Sequence, residues 1–476
     1  MTTSPDPQHY DLVIIGSGSG NSMINDELDH WRIAMVDDGL RYGGTCLNVG
    51  CIPTKMFVLP ADLADGPRDA ARLGVDLALR GVDFPAVRDR IFRRIDAISE
   101  GGLDWRERQE HVDVYRETGR FVDPHTLELS SGRRISGDRI VIAAGSRPRP
   151  LSVPAAPSVA ELVHTSDSIM RIDELPKRLL ILGAGFVSVE FAHVFSAYGV
   201  DVTVIHRGHT LLKHEDHEVS ERYRQLVAEK VTLALGEHVV RLEEAPEGGV
   251  RVVTMVEGEE RHHDGDLVLN AIGRIPNGDR LDVVAAGLGL DAHGFIPVDE
   301  YQRTAVDHIW ALGDVCSPAM LKHVANREMR VVRHNLLHPE DLWATDHRFI
   351  PHAVFGHPQI ASVGATQQDL DAAGRPYLVK VQNYGDVAYG WAMEDTEHFV
   401  KLISDPLTDK LLGAHIIGPQ ASTLIQQLIQ MMVFDQGVSS VAHSQYWIHP
   451  ALPEVIENAL LALEESRRQW LEEHQA

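Results

Sequence analysis

Apolar residues in this chain come in short runs that end at glycines, and that pattern predicts the elements before any chemistry is considered. Residues 10–15 (Tyr-Asp-Leu-Val-Ile-Ile) form one such run and lead directly into Gly16-Ser-Gly-Ser-Gly-Asn21. A run of this length followed by glycines reads as a buried strand feeding a tight turn. A second run, 32–36, ends at Asp37, and 22–29 between them reads as a short acidic helix with Asp26, Glu27 and Asp29. Residues 57–109 have helical character, whereas 112–115, 126–129 and 139–145 read as strands. The proline-rich stretch 147–157 marks a boundary, after which the design repeats: run 178–182, glycine turn 183–188, strand 200–205. Residues 270–276 and 309–314 are strands that end in turns. Beyond about Pro351 the composition shifts. There 354–355, 399–403 and 411–417 read as strands, 422–436 as an amphipathic helix, and a last helix ends near Gln469.

Length and charge narrow the class. A chain of 476 residues is about three domains. A formal net charge of −25 argues against nucleic acid or an anionic membrane as the main partner. No apolar run approaches the roughly 18 residues that span a bilayer. The first residues lack the basic and apolar regions of a secretory signal, so the expected location is cytoplasmic. The 26 histidines are scattered and read mostly as surface residues, while three cysteines suggest catalysis rather than scaffolding.

Two of those cysteines, Cys46 and Cys51, lie in the stretch 43–55, Gly-Gly-Thr-Cys-Leu-Asn-Val-Gly-Cys-Ile-Pro-Thr-Lys. A disulfide needs Cα atoms roughly 4.4–6.8 Å apart, and five steps of regular helix advance about 7.5 Å. The segment is therefore not ideal helix if the pair closes. Gly50 is placed to supply a distortion, and Pro53 suits the first turn of a following helix. A helix starting near Cys51 lowers thiol pKa values. A structural disulfide is one alternative. Half of a metal site is another, but Cys316 is remote and no second ligand pair is at hand, so no metal is expected. The reading adopted is a redox-active dithiol.

The two glycine turns suit phosphate binding at helix N-termini, which makes two dinucleotide sites. Asp37, 21 positions after Gly16, is where an acid binds ribose hydroxyls. The third glycine of each pattern is replaced, by Asn21 and by Ser188. After the second turn no acid closes the strand; His206-Arg207 stands there, with Lys213 six residues on. Cations without an acid suit a 2′-phosphate, so the second nucleotide reads as NADPH. Asp314 is placed to hold a polyol hydroxyl. Near the end, His449-Pro-Ala-Leu-Pro-Glu454 has two prolines that bend the chain enough to pair His449 with Glu454, which would orient the imidazole and raise its basicity.

In order and spacing, 43–55, Ala144-Gly145, 183–190, Gly313-Asp314 and 449–454 resemble the pyridine nucleotide–disulfide oxidoreductases over nearly the whole chain. The resemblance implies an α/β fold with two Rossmann-like dinucleotide-binding domains and an α+β C-terminal dimerisation domain. It implies an FAD-binding domain over 1–150, with 277–345 returning to it, an NADPH-binding domain over 151–276, and a dimerisation domain over 346–476. FAD contacts would fall to Gly16, Gly18, Asp37 and Asp314, and also to Gly44, Thr45, Lys55 and Gly145. NADPH contacts would fall to Gly183, Gly185, Glu190, Arg207, Lys213 and Gly273. Lys55 and Glu190 would pair beside the flavin. Cys51 would be the flavin-proximal thiol and Cys46 the one that attacks a small-molecule disulfide. His449, oriented by Glu454, would be the acid/base for the other subunit of a homodimer.

Departures from the family pattern bear on the substrate. The C-terminal motif His-Pro-Ala-Leu-Pro-Glu replaces His-Pro-Thr-x-Ser-Glu, Phe186 replaces the tyrosine often found at the nicotinamide lid, and 22–29 is acidic. The C-terminal motif and the acidic 22–29, together with Gly-Ser-Gly-Ser-Gly-Asn at 16–21 and Cys-Ile-Pro-Thr-Lys-Met-Phe at 51–57, resemble the branch acting on mycothiol disulfide, built from a cysteinyl-glucosaminyl-inositol thiol, and the acidic segment fits poorly with the carboxylates of glutathione disulfide. The alternatives weighed are the lipoamide branch running in the opposite direction with NAD, and a non-catalytic flavoprotein subunit.

Overall fold

The computed structural model describes residues 6–38 and 40–474. Its first sheet contains β1 (Gln8–Ile15), β2 (Ile33–Asp37), β3 (Val112–Arg116), β4 (Gly119–Asp123), β5 (Thr126–Leu129) and β6 (Arg134–Ile142). Their order is β3-β2-β1-β6-β5-β4, and strand Ile309–Ala311 adds a seventh by pairing with β6. β1 runs parallel to both β2 and β6, with Leu12 opposite Ile33 and Val13 opposite Ile140. Leu12, Val13 and Ile14 are fully buried, as expected of a parallel strand covered on both faces.

The acidic segment after the first glycine turn differs from expectation. It forms no α-helix but two 3-10 turns, Gly20–Met23 and Asp26–Leu28, closed by bonds such as Leu28 N–H to Asn25 O. The buried Arg106 guanidinium takes the Asn21 carbonyl, the acceptor an α-helix needs for its next turn. The region 57–109 is helical, as its pattern predicts, and holds two helices. They are α2 (Cys51–Arg72), preceded by the short α1 (Gly44–Asn48), and α3 (Phe84–Glu107). The break between them has a physical start and stop. Gly74 takes a left-handed φ of 75° just beyond α2, and the Asp83 side chain accepts the Ala86 N–H to cap α3.

A second parallel sheet orders strands Thr232–Leu235, Asp201–His206, Arg178–Leu182, Leu267–Asn270 and Val163–His164. Three antiparallel strands, His238–Glu244, Val250–Val256 and Glu259–Gly265, add to what the apolar runs predict. Helix α4 (Phe186–Ala197) follows the second glycine turn and packs on α2, where Phe57, Val58 and Ala61 share a core with Phe191, Val194 and Phe195. That crossing joins the two dinucleotide-type units.

Helices α5 (His217–Val227) and α6 (Lys322–Leu337) precede a third, antiparallel sheet. Its order is His352–Val354, Ile360–Gly364, Leu411–Ile417, Phe399–Ser404 and Leu378–Asn383. Helices Ala421–Val433 and Glu454–His474 pack on it. Among the described residues no helix is long and apolar enough to cross a membrane.

Candidate active site

The stretch around the two cysteines is shaped by its glycines and by Asn48. Gly43 and Gly44 take left-handed φ values of 101° and 75°, and the five-residue α1 ends where Gly50 adopts φ −132° and ψ −123°. The buried Asn48 amide donates to the carbonyls of Arg41, Tyr42 and Gly44, which folds the loop back on itself. Helix α2 then starts at Cys51 with Pro53 in its first turn, and the Thr54 hydroxyl donates to Gly50 O at 2.7 Å.

Broken in this way, the segment sets the two free thiols side by side, and their acidities diverge. The half-buried Cys46 thiol, free but against Cys51 and partly desolvated, is pushed far above the ordinary range. The same contact, helped by the Lys55 ammonium, lowers Cys51 to about 7 against the opposing effect of burial. Cys316 lies apart against the core of the first sheet, where burial raises its thiol.

One turn along α2 from Cys51, the Lys55 ammonium meets both oxygens of Glu190 at 2.8 and 2.7 Å. Glu190 is 3% exposed and also accepts the Phe355 N–H at 2.9 Å, while the Phe355 ring lies 4.6 Å below the ammonium. This ion pair spans the α2–α4 crossing and touches the third sheet's leading segment.

Both glycine turns form backbone cradles. A Cβ on Gly16 would sit 2.3 Å from Ala143 O, and one on Gly183 would sit 2.3 Å from Ala271 O, so both strands require glycine at the same point. Gly18 and Gly44 approach so closely that a Cβ on Gly44 would lie 2.5 Å from Gly18 Cα, which sets Thr45 and the dithiol loop against the first turn. Gly20 packs tightly on Ile14 and Ala143, doing the helix–strand packing expected of the replaced third glycine. Asp37 accepts the Ser17 N–H at 2.9 Å, and Ser17 Oγ accepts the Gly43 N–H at 2.8 Å. Asp314 accepts from Ser146 Oγ at 2.6 Å, beside Gly145 with φ 66°. These open backbone turns, followed by an acid at Asp37, fit a dinucleotide such as FAD.

In the second unit, Gly185 caps α4 with nothing within 4 Å of a built Cβ, and Ser188 Oγ donates to Gly183 O at 2.7 Å. Phe186 opens the helix 48% exposed. Arg207 and Lys213 are exposed and close enough to help depress the His206 imidazole, whose main cause is burial. Gly273 holds φ 126° at the turn facing Arg149. A backbone cradle with cations beyond the second strand fits NADPH.

His449 Nδ1 lies 2.6 Å from Glu454 Oε1, and Glu454 also accepts the Ala451 N–H. The histidine side chain is 68% exposed. Among the described residues no hydrogen bond or ion pair connects this couple to the two thiols. Sequence reasoning missed three contributors. Lys322, at the head of α6, donates to Ser19 Oγ at 2.8 Å and lies near Cys46. Phe355 braces Lys55, and Arg106 holds Asn21. Only Lys322 carried a local signal, a cation eight residues past Asp314 at a helix start.

A family model described as pyridine nucleotide-disulphide oxidoreductase matches residues 10–330, and one described as its dimerisation domain matches residues 350–460. Mycothione reductase of Mycobacterium tuberculosis is 47% identical over 463 residues, covering 95% of this chain and 99% of that protein. Dihydrolipoyl dehydrogenase of Haloferax volcanii is 32% identical over 463 residues, covering 94% and 96%. Among solved structures, the HOCl-induced flavoprotein disulfide reductase RclA of Escherichia coli aligns with a TM-score of 0.83 at 26% identity, covering 95% of this chain and 99% of that one.

Proposed function

This chain belongs to the pyridine nucleotide-disulphide oxidoreductase family, and from that premise we propose an NADPH-dependent flavoprotein disulfide reductase whose substrate is mycothiol disulfide. The observation that carries the reaction is the Cys46–Cys51 contact at the head of α2, one turn from the Lys55–Glu190 pair. The 47% identity to a mycothione reductase supports the substrate. Bound FAD and NADPH supply the electrons that return the cysteine pair to its dithiol form.

The chain's own groups do the rest. Asp37, Asp314 and the turns at Gly16, Gly18, Gly44, Thr45 and Gly145 hold FAD; those at Gly183, Gly185 and Gly273, with Arg207 and Lys213, hold NADPH. Lys55, fixed by Glu190, would stand beside bound flavin, and it favours the Cys51 thiolate. Cys46 loses its proton to a base and attacks one sulfur of the substrate disulfide. A Cys46–substrate bond forms, the substrate S–S bond breaks, and the departing thiolate takes a proton from His449. The Cys51 thiolate then attacks Cys46 sulfur, which forms the enzyme disulfide, breaks the Cys46–substrate bond and expels the second product as a thiolate that takes its proton from water. Because Cys46 is the less acidic thiol, this sequence needs a base from outside the α2 segment.

His449 of a second copy is that base. Its exposure, and the exposed Tyr446 and Ile448 beside it, support a homodimer in which each site is completed by the other chain. The domain division is 1–150 with 277–345 for FAD, 151–276 for NADPH and 346–476 for dimerisation. The setting is the cytoplasm, where thiols are kept reduced.

NADPH oxidation by the purified protein, compared across mycothiol disulfide, glutathione disulfide and lipoamide, tests the reading. Preference for mycothiol disulfide supports it. Preference for lipoamide with NADH reassigns the substrate and the role of Arg207, and cofactor reduction without any thiol product points to a non-catalytic flavoprotein.

A further inference from the structure

Behind the Lys55–Glu190 pair, where α2 crosses α4, three metal-ligating side chains meet from distant parts of the chain. Asp62 stands seven residues beyond Lys55, His193 three beyond Glu190, and His357 two beyond Phe355. Each offers a ligand atom, and the three atoms lie within 4.8 Å of one another. His193 Nε2 is 2.8 Å from Asp62 Oδ1, and the imidazoles of His193 and His357 stack with centroids 5.4 Å apart.

His193 is only 3% exposed, yet its Nδ1 finds no hydrogen-bond partner among the described residues. A buried imidazole tied by one contact calls for an explanation, and a bound ion or water is among the few available. The Asp62 and His357 side chains are 36% and 30% exposed, so solvent and solutes reach the cluster. The neighbouring charges do not forbid a cation. Asp65 pairs with the Lys230 ammonium, offsetting a positive group that acts on His357, and its Oδ2 lies 3.5 Å from His357 Nε2.

The geometry points to a binding site for one borderline divalent cation, of which zinc is the probe, held by Asp62, His193 and His357 with a fourth position open to water. Two imidazoles and a carboxylate suit zinc, whereas calcium and magnesium favour all-oxygen sets. Ligand atoms about 2.0–2.2 Å from a tetrahedral zinc stand roughly 3.3–3.6 Å apart, which small side-chain adjustments reach from atoms within 4.8 Å of one another, with the 2.8 Å His193–Asp62 pair opening to admit the ion. The ion clamps α2, α4 and the segment entering strand Ile360–Gly364. It acts behind the redox thiols rather than on them.

The test uses the flavin-loaded full chain carrying Cys46→Ser and Cys51→Ser, so that the redox thiols take up no zinc. Titration calorimetry with zinc alone should find one ion per chain. Adding His193→Gln or Asp62→Asn should weaken binding by at least about tenfold. A His443→Gln control, altering an exposed histidine paired with Glu464, should leave it unchanged. Circular dichroism confirms that each variant is folded, and His357→Gln stands in for any that is not. Absence of stoichiometric binding in the parent overturns the site, as does equal affinity in the folded cluster variants.

Discussion

At the residue scale the two thiols differ in acidity, and the difference has causes that can be removed one at a time. With the Cys51 thiol at about 7 and an ordinary thiol at 9.0, alkylation of the reduced protein should rise with pH around a midpoint near 7. Folding stability follows the same sign. A depressed thiol pKa contributes stability that is full above about 9 and is lost as pH falls through about 7. Lys55→Met should move the alkylation midpoint upward and, by leaving the buried Glu190 without its cation, cost about 2–3 kcal/mol of stability. An unmoved midpoint would remove Lys55 from the account. The spacing of the cysteines made the pair readable, but not its polarity, which depends on side-chain contact and on Lys55 one turn away. Arg207 poses a similar question on the nucleotide side. Arg207→Ala should remove a charge-assisted contact of about 1.5–3 kcal/mol, raising the NADPH KM about 10- to 100-fold with little change for NADH. Equal losses with both nucleotides would end the 2′-phosphate assignment.

At the scale of elements, backbone approach rather than side-chain chemistry couples the first glycine turn to the dithiol loop. Gly44 combines a left-handed φ with a built Cβ only 2.5 Å from Gly18 Cα. Gly44→Ala should therefore cost about 3 kcal/mol, from left-handed strain of about 1–2 kcal/mol plus the overlap, and should lower the flavin-to-protein ratio after gel filtration. Gly101→Ala is the contrasting case. It lies inside α3 with nothing within 4 Å of a built Cβ, so it should stabilise by about 0.5–1 kcal/mol and leave flavin content alone. A matched loss of flavin in both variants would show that the Gly18–Gly44 approach does not govern the result. Both strand–turn units, and the helix after the second, were legible because apolar runs and glycines are local signals. The 3-10 turns after Gly18 were not, because Arg106, 85 residues away, captures the Asn21 carbonyl. The strands between 238 and 265 were equally hidden, since one face of that meander carries charged pairs such as Arg241–Glu260.

At the scale of the whole molecule, the open matter is where the His449–Glu454 couple works. Its five-residue spacing made the pairing legible, but a spacing within one chain cannot reveal a partner in another. The imidazole is two-thirds exposed in the loop before helix Glu454–His474, while the thiol it should serve lies in α1, ahead of α2. If each site takes its base from the second copy, Cys46→Ser and His449→Gln homodimers should each turn over poorly. Mixing them under conditions that exchange subunits should then create heterodimers with one complete site, an intact Cys46 from one chain facing an intact His449 from the other. At equal proportions, random exchange makes half of all dimers mixed, so activity should recover to roughly a quarter of the parent's. If each chain instead held a complete site, every site in the mixture would lack one group and no recovery would occur. The comparison turns only on which chain supplies the base, and it reads the same whichever disulfide the enzyme prefers.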